Sequence, residues 1–290
     1  MTTNPSIQVG FNPHLSLEGY HGHKASWSKS DLVRFASETP LACHNAHFAT
    51  AEKKKDSFEL GTGAHAAILE GLDAYWDRAA IVPDEVLGKN GARSTNAYKA
   101  WAEANAHKTI LMADQARAVE EIYHTAFQRS AFKRLLTGGI AEMSAFWIED
   151  FNGHPLMCKC RPDYLPGDRI VVDLKTTSDI HNFTRTAYNL KYYWSAYFTC
   201  RGLTKLTGQA HTDYYFAVVE SVAPFHTMML QVMPEQFQLA EHEIMQVLPQ
   251  LAACERENAW PGYPDEIMAL QMPAYAFKNA PHILEQSRAA

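Results

Sequence analysis

Residues 157–177 read MCKCRPDYLPGDRIVVDLKTT, and the charges fall where neither a surface loop nor a buried strand would put them. An acid follows Arg161-Pro162, and about ten residues later comes Asp173-Leu174-Lys175, entered through Ile170-Val171-Val172. In a strand, side chains two apart share a face. Asp173 and Lys175 therefore point one way with Val171, while Val172 and Leu174 point the other way. On the preceding strand the same rule groups Lys159, Arg161 and Asp163. The Pro166-Gly167-Asp168 turn predicts a hairpin that sets Asp163 beside Asp173 and Lys175. One strand earlier, Glu142 shares a face with Ser144 and Phe146. Three carboxylates and an ammonium can thus converge on one face of a three-stranded sheet.

Carboxylates that close repel one another, and a divalent cation is the usual remedy. Oxygen ligation with open water positions suits Mg²⁺ or Mn²⁺. A lysine beside such a site can orient an attacking water, and metal and lysine together stabilise charge developing on a phosphate. An isolated D-x-K is more often a salt-bridge ladder. The upstream Asp163, Glu142 and the apolar lead-in weigh against that plain reading.

The order Glu142, Pro162-Asp163, Asp173-x-Lys175 resembles the PD-(D/E)xK nuclease superfamily. Within it the chain resembles the exonuclease VIII (RecE) branch of phage-type recombination exonucleases, relatives of lambda exonuclease and of the RecB nuclease domain. The stretches that carry the resemblance are SWSKSDL (26–32), LGTGAHAAILEG (60–71), AEMSAFW (141–147), CKCRPDYL (158–165), VVDLKTT (171–177), WPGY (260–263) and MPAY (272–275). The resemblance implies an α/β fold: a restriction-endonuclease-like core with a mixed central sheet flanked by helices and an N-terminal helical elaboration. It implies a Mg²⁺-dependent exodeoxyribonuclease that digests double-stranded DNA from its ends, 5′ to 3′. The product is a 3′ single strand for an annealing protein of the RecT type, and such exonucleases form homo-oligomeric rings around DNA. A structure- or sequence-specific endonuclease is the alternative within the superfamily. A DNA-binding or assembly module without catalysis is the alternative outside it.

By the same resemblance, Asp163, Asp173 and the Leu174 carbonyl bind metal, Glu142 and His65 complete the set, and Lys175 positions the water. Taken on its residues alone, His65 is a core histidine, since it shares a helix face with Gly61, Ile68, Leu69 and Leu72. Gly61 and Gly63 would let that helix approach the sheet closely. Glu70 lies off that face and reads as a local or surface charge. Candidate DNA contacts are Arg161, Thr176, Thr177, Arg185 and Lys191. The family's helix after the core carries a Gln followed four residues later by Tyr; Ser195 and Thr199 stand there instead. Some members of the superfamily hold an iron–sulfur cluster through one cysteine before the core and three after it. Only Cys200 and Cys254 follow the core here, so no such cluster is expected, and Cys158 and Cys160 read as core fillers.

The rest of the chain sets bounds. Its 290 residues are 47% apolar and 20% charged, ordinary for a globular protein of one large domain. The net charge of −6 excludes a broad basic coat for nucleic acid, but not basic groups gathered in one groove. Lys53-Lys54-Lys55 reads as a solvated face. Five cysteines without CxxC argue against a disulfide framework or zinc ribbon, and the 14 histidines include no HExxH. No apolar run could span a bilayer, and MTTNPSIQVGFNPH lacks the marks of a signal peptide, so a cytoplasmic protein without membrane contact is expected.

Helices are expected from Ser28 or Ser30 through Phe35 (stopped by Pro40), and over Phe58–Leu72, Ser94–Ala106 and Asp114–Leu136. Strands are expected over Ile140–Glu149, Leu156–Leu165 and Arg169–Thr176. A helix over about Phe183–Leu206, strands Tyr214–Val222 and His226–Met233, and a helix from Pro234 to Glu257 follow. Residues 1–25 are expected to form an arm and 26–276 a single domain, with helices to about 137, the sheet over about 138–233 and the last helix over 234–257. Residues 277–290 are the tail.

Overall fold

The computed structural model describes residues 7–49, 60–167, 169–270 and 272–278. The elements before the central sheet are β1 (Gly10–Asn12), α1 (Leu17–Gly22), α2 (Lys29–Ser37), α3 (Pro40–Phe48), α4 (Leu60–Glu70), α5 (Leu72–Asp77), β2 (Ala79–Ile81), α6 (Asn96–Ala104), β3 (Thr109–Leu111), α7 (Ala113–Gln128) and α8 (Ser130–Leu135). Then come β4 (Ile140–Ala141), β5 (Ser144–Phe151), β6 (His154–Cys160), β7 (Tyr164–Gly167) and β8 (Ile170–Thr177). The crossover helices α9 (Phe183–Asn189) and α10 (Tyr192–Thr207) lead to β9 (Asp213–Glu220), β10 (Thr227–Gln231) and α11 (Pro234–Glu257).

The central sheet has five strands in the order β10-β9-β8-β7-β4. β8 and β9 run parallel and the other pairs antiparallel, so the sheet is mixed. The alternation along Val171-Val172-Asp173-Leu174 divides two cores. Val172 and Leu174 join Ala64 and Ile68 of α4, Ile122 and Ala126 of α7 and Phe132 of α8. Val171 joins Phe183, Trp194, Phe198 and Leu248 on the other side. Each fully buried aliphatic or aromatic side chain contributes roughly 1.5–3 kcal/mol. The apolar cover on both faces is interrupted in the middle of the strand, where Asp173 and Lys175 carry its charges.

Several expectations about single elements are corrected. The run Ile140–Glu149 is two strands in two sheets, because Glu142 takes a left-handed backbone (φ 55°). Its N–H donates to the Asp163 carbonyl at 2.9 Å. Beyond it, β5 enters a second sheet of order β1-β5-β6. The run Leu156–Leu165 breaks at Arg161-Pro162-Asp163, where proline has no N–H for a ladder. Lys159 therefore does not share a strand face with Asp163; its buried ammonium donates to the Tyr20 and His23 carbonyls at 3.0 and 2.8 Å.

Asp114–Leu136 is α7 and α8, parted at Arg129, whose ψ of 126° is extended. The expected Phe183–Leu206 helix is α9 and α10, parted at Leu190 and the left-handed Lys191. Pro40 opens α3 as its first residue, behind the Thr39 cap, rather than only closing α2. Nor are residues 1–25 all an arm: β1 pairs with β5, and Leu15 and Tyr20 are buried against Phe146. The Lys53-Lys54-Lys55 run, the start of the Phe58–Leu72 helix and most of the expected tail lie outside the described residues. Among the described residues no helix is long and apolar enough to cross a membrane.

Candidate active site

Helix α4 brings His65 to the sheet, and Gly61 makes the approach possible. A Cβ at Gly61 would stand 2.7 Å from the Thr176 hydroxyl oxygen on β8. Gly71, at φ 94°, ends the helix one residue after Glu70. Substituting Gly61→Val is expected to push α4 off β8, at a cost of about 1–3 kcal/mol for overpacking. It should also draw His65 away from its partners, and urea unfolding beside an activity assay checks both effects.

His65 Nε2 lies 3.2 Å from Asp163 Oδ2, and Nδ1 lies 3.8 Å from Glu142 Oε1. The three ligand atoms that His65, Glu142 and Asp163 offer are all within 4.8 Å of one another. Asp163 Oδ2 also accepts the Leu174 N–H at 2.7 Å. A strand residue's N–H and C=O point to the same edge, so the Leu174 carbonyl faces this side too. Glu142 is held from behind by Arg161, whose Nε donates to Oε2 at 2.7 Å. The left-handed turn at Glu142, which costs about 1–3 kcal/mol for a non-glycine residue, is what places this carboxylate beside Asp163.

Asp173 stands apart from the three. One of its oxygens accepts from the Lys175 ammonium, and the other accepts the Tyr214 hydroxyl at 2.7 Å. Burial pushes Asp173 up, and the neighbouring Asp163 adds to this beyond what Lys175 and Tyr214 offset. Burial acts the same way on Asp163, but the His65 hydrogen bond and the Lys175 charge outweigh it, and the net shift is downward. Burial would lower Lys175; Asp173 and Asp163 outweigh it and hold the ammonium above its ordinary range.

Arg161 is occupied by Glu142, the Ser144 hydroxyl and the Leu15 carbonyl. Lys191 pairs with Glu243 at 3.0 Å. Thr177 closes a local turn with Asp179, whereas Thr176 and Arg185 are exposed. Glu70 pairs with Arg78 at 2.5 Å on the surface. Cys158 and Cys160 are buried thiols. Ser195 and Thr199 line a cleft of about 1170 Å³ together with Asp173, Tyr214, Lys29, Lys159 and Arg161. Tyr214, which fixes Asp173, stands opposite Val171 in the parallel β8–β9 pair, a long-range register that no local pattern in the sequence marks.

The donor set fits a hard divalent cation. Two carboxylates and an imidazole converge, with their ligand atoms within 4.8 Å of one another.

A family model described as "PDDEXK-like domain of unknown function (DUF3799)" matches residues 28–273. The chain belongs to this PDDEXK-like family, and with it to the PD-(D/E)xK superfamily. The crystal structure of a "Putative exonuclease" from Eubacterium rectale is similar with a TM-score of 0.60 at 15% identity, over 93% of this chain and 99% of that one. At that identity the likeness speaks for the fold alone. The crystal structure of SSO0001 aligns over 75% of this chain and 83% of that one, at 11% identity and a TM-score of 0.28, too low to carry an argument. No curated protein matches.

Proposed function

We propose that this protein is a Mg²⁺-dependent exodeoxyribonuclease that hydrolyses phosphodiesters from the ends of double-stranded DNA. The observation that carries the reading is the convergence of His65, Glu142 and Asp163 beside the Asp173–Lys175 pair at one end of the sheet. Asp163, Glu142 and His65 would hold the cation, with Asp173 and the Leu174 carbonyl adjoining. When bound, Mg²⁺ or Mn²⁺ would polarise the scissile phosphate and stabilise the charge that develops on it. Lys175 remains an ammonium, so it donates to the phosphate and to the attacking water rather than taking the water's proton. Tyr214 and Lys175 each hold one carboxylate oxygen of Asp173.

The 5′ to 3′ direction, the 3′ single-stranded product and a RecT-like annealing partner are the reading that the motifs favour. A ring of copies in the cytoplasm would let a chain of net charge −6 hold a polyanion, since only the channel need be positive. Incubating Mg²⁺ and protein with linear and with covalently closed circular duplex tests the need for an end. Release of nucleotides from the linear form alone is expected. Nicking of the circle would make the protein an endonuclease, and cleavage of neither would leave a binding module.

A further inference from the structure

Lys175 has a second neighbour besides Asp173, and it is not a charge. Its Nζ lies 5.2 Å from the centroid of the Tyr192 ring, within the range of a cation–π contact. The Lys29 ammonium lies 5.6 Å from the same centroid. Burial, then the charge of Lys175, pulls Lys29 down to about 8, so the two cations feel one another across the ring. The ring is seated against the buried Phe216 and Phe183, at centroid distances of 5.9 and 6.0 Å.

Tyr192 is the first residue of α10, and the chain reaches it through the strained, left-handed Lys191 (φ 49°). Backbone bonds from Lys191 N–H to the Tyr188 carbonyl and from Trp194 N–H to the Lys191 carbonyl close the turn, and one carboxylate gathers the side chains around it. Glu243 Oε2, on α11, accepts from Lys191 Nζ at 3.0 Å, the Tyr193 hydroxyl at 2.7 Å and Trp194 Nε1 at 2.5 Å. Three donors from the residues flanking Tyr192 thus converge on one carboxylate, and the ring they frame is turned toward Lys175.

We infer that Tyr192 is a positioning residue for Lys175, locked in place by Glu243. This rests on the nuclease reading above. Asp173 can fix Lys175 only by neutralising it, whereas an aromatic face attracts an ammonium without bringing an opposing charge. The ring therefore holds the lysine at the cleft while its charge remains for the phosphate. It also offsets the repulsion between Lys175 and Lys29. With Asp173 bonded to Lys175 on one side, the ring fixes the direction of the ammonium from another.

The test combines single-turnover cleavage of linear duplex with NMR of protein labelled with ¹³Cε-lysine. In the wild type the Lys175 ε-methylene signal should carry a ring-current shift. Tyr192→Leu and the bulk-preserving Tyr192→Met should both lose that shift and cleave roughly tenfold more slowly, with the KM for DNA little changed. Tyr192→Phe, which keeps the ring face, should restore both shift and rate; a half-buried ring acting only in packing predicts earlier melting in the leucine and methionine variants with the single-turnover rate at low temperature unchanged. Glu243→Ala should reduce the shift and slow cleavage in the same direction. A wild-type rate in the leucine and methionine variants would overturn the inference, as would a phenylalanine variant that is no better than they are. Wild-type protein that cuts no DNA would sink the nuclease reading and this inference with it; wild-type cleavage that survives loss of the ring sinks the inference alone.

Discussion

Lys175→Ala is expected to lower the rate of phosphodiester hydrolysis at least about a hundredfold, the usual cost of removing a positioned electrostatic stabiliser. The residue sits in the second half of β8, and among the described residues its ammonium is the cation bonded to Asp173. Its charge is secure, because Asp173 and Asp163 hold it above the ordinary lysine range against the effect of burial. The alanine variant loses both the donor to the phosphate and the group that orients the water. The fold should survive: Asp173, already pushed up by burial, can take a proton once its partner is gone and keeps the Tyr214 hydroxyl. Turnover and thermal melting of the same sample separate the two effects, and near-normal turnover would remove Lys175 from the mechanism.

His65→Ala should weaken activity and raise the Mg²⁺ concentration needed, with little loss of stability. A core histidine would do the reverse. Burial would lower its pKa, but the Asp163 hydrogen bond and the charges of Asp163 and Glu142 outweigh it, and His65 ends above its ordinary 6.5. A group raised on folding stabilises fully below its unfolded pKa, and that contribution is lost as pH rises through the folded one. In EDTA, therefore, the wild-type melting temperature should fall as pH climbs from about 6.5 through the folded value, and His65→Ala should lack that step. With Mg²⁺ present, proton and cation compete for the same three residues. The half-maximal Mg²⁺ concentration of the wild type should then fall with rising pH. An early-melting variant that cuts at the wild-type rate and metal dependence would return His65 to the core.

The parts of the site that were legible in sequence are those fixed by period. Alternation alone separates Asp173 and Lys175 from Val172 and Leu174, and the two-sided burial of β8 follows from the same rule. The break at Pro162 was open to reading as well, since proline cannot donate within a ladder. What was hidden depends on single backbone angles. Nothing in Ala-Glu-Met announces a glutamate at φ 55°, yet that angle carries the chain from one sheet to the other and turns Glu142 toward Asp163. Lys191 is a parallel case: its left-handed φ splits a helix that composition reads as continuous, and its ammonium goes to Glu243, 52 residues away. Arg161 reads as a DNA contact because a strand would leave its guanidinium free at the cleft, but there Glu142, Ser144 and the Leu15 carbonyl occupy it. Long-range pairing decides such residues, and local pattern does not reach that far.

If His65, Glu142 and Asp163 form a cation site that serves hydrolysis of DNA, release of acid-soluble nucleotides from labelled linear duplex depends on the ion supplied, as measurement in Mg²⁺, in Ca²⁺ and in EDTA will show. Release is expected in Mg²⁺, little in Ca²⁺, whose looser coordination places the water poorly, and none in EDTA. Digestion that persists in EDTA, or that only Zn²⁺ supports, would contradict it.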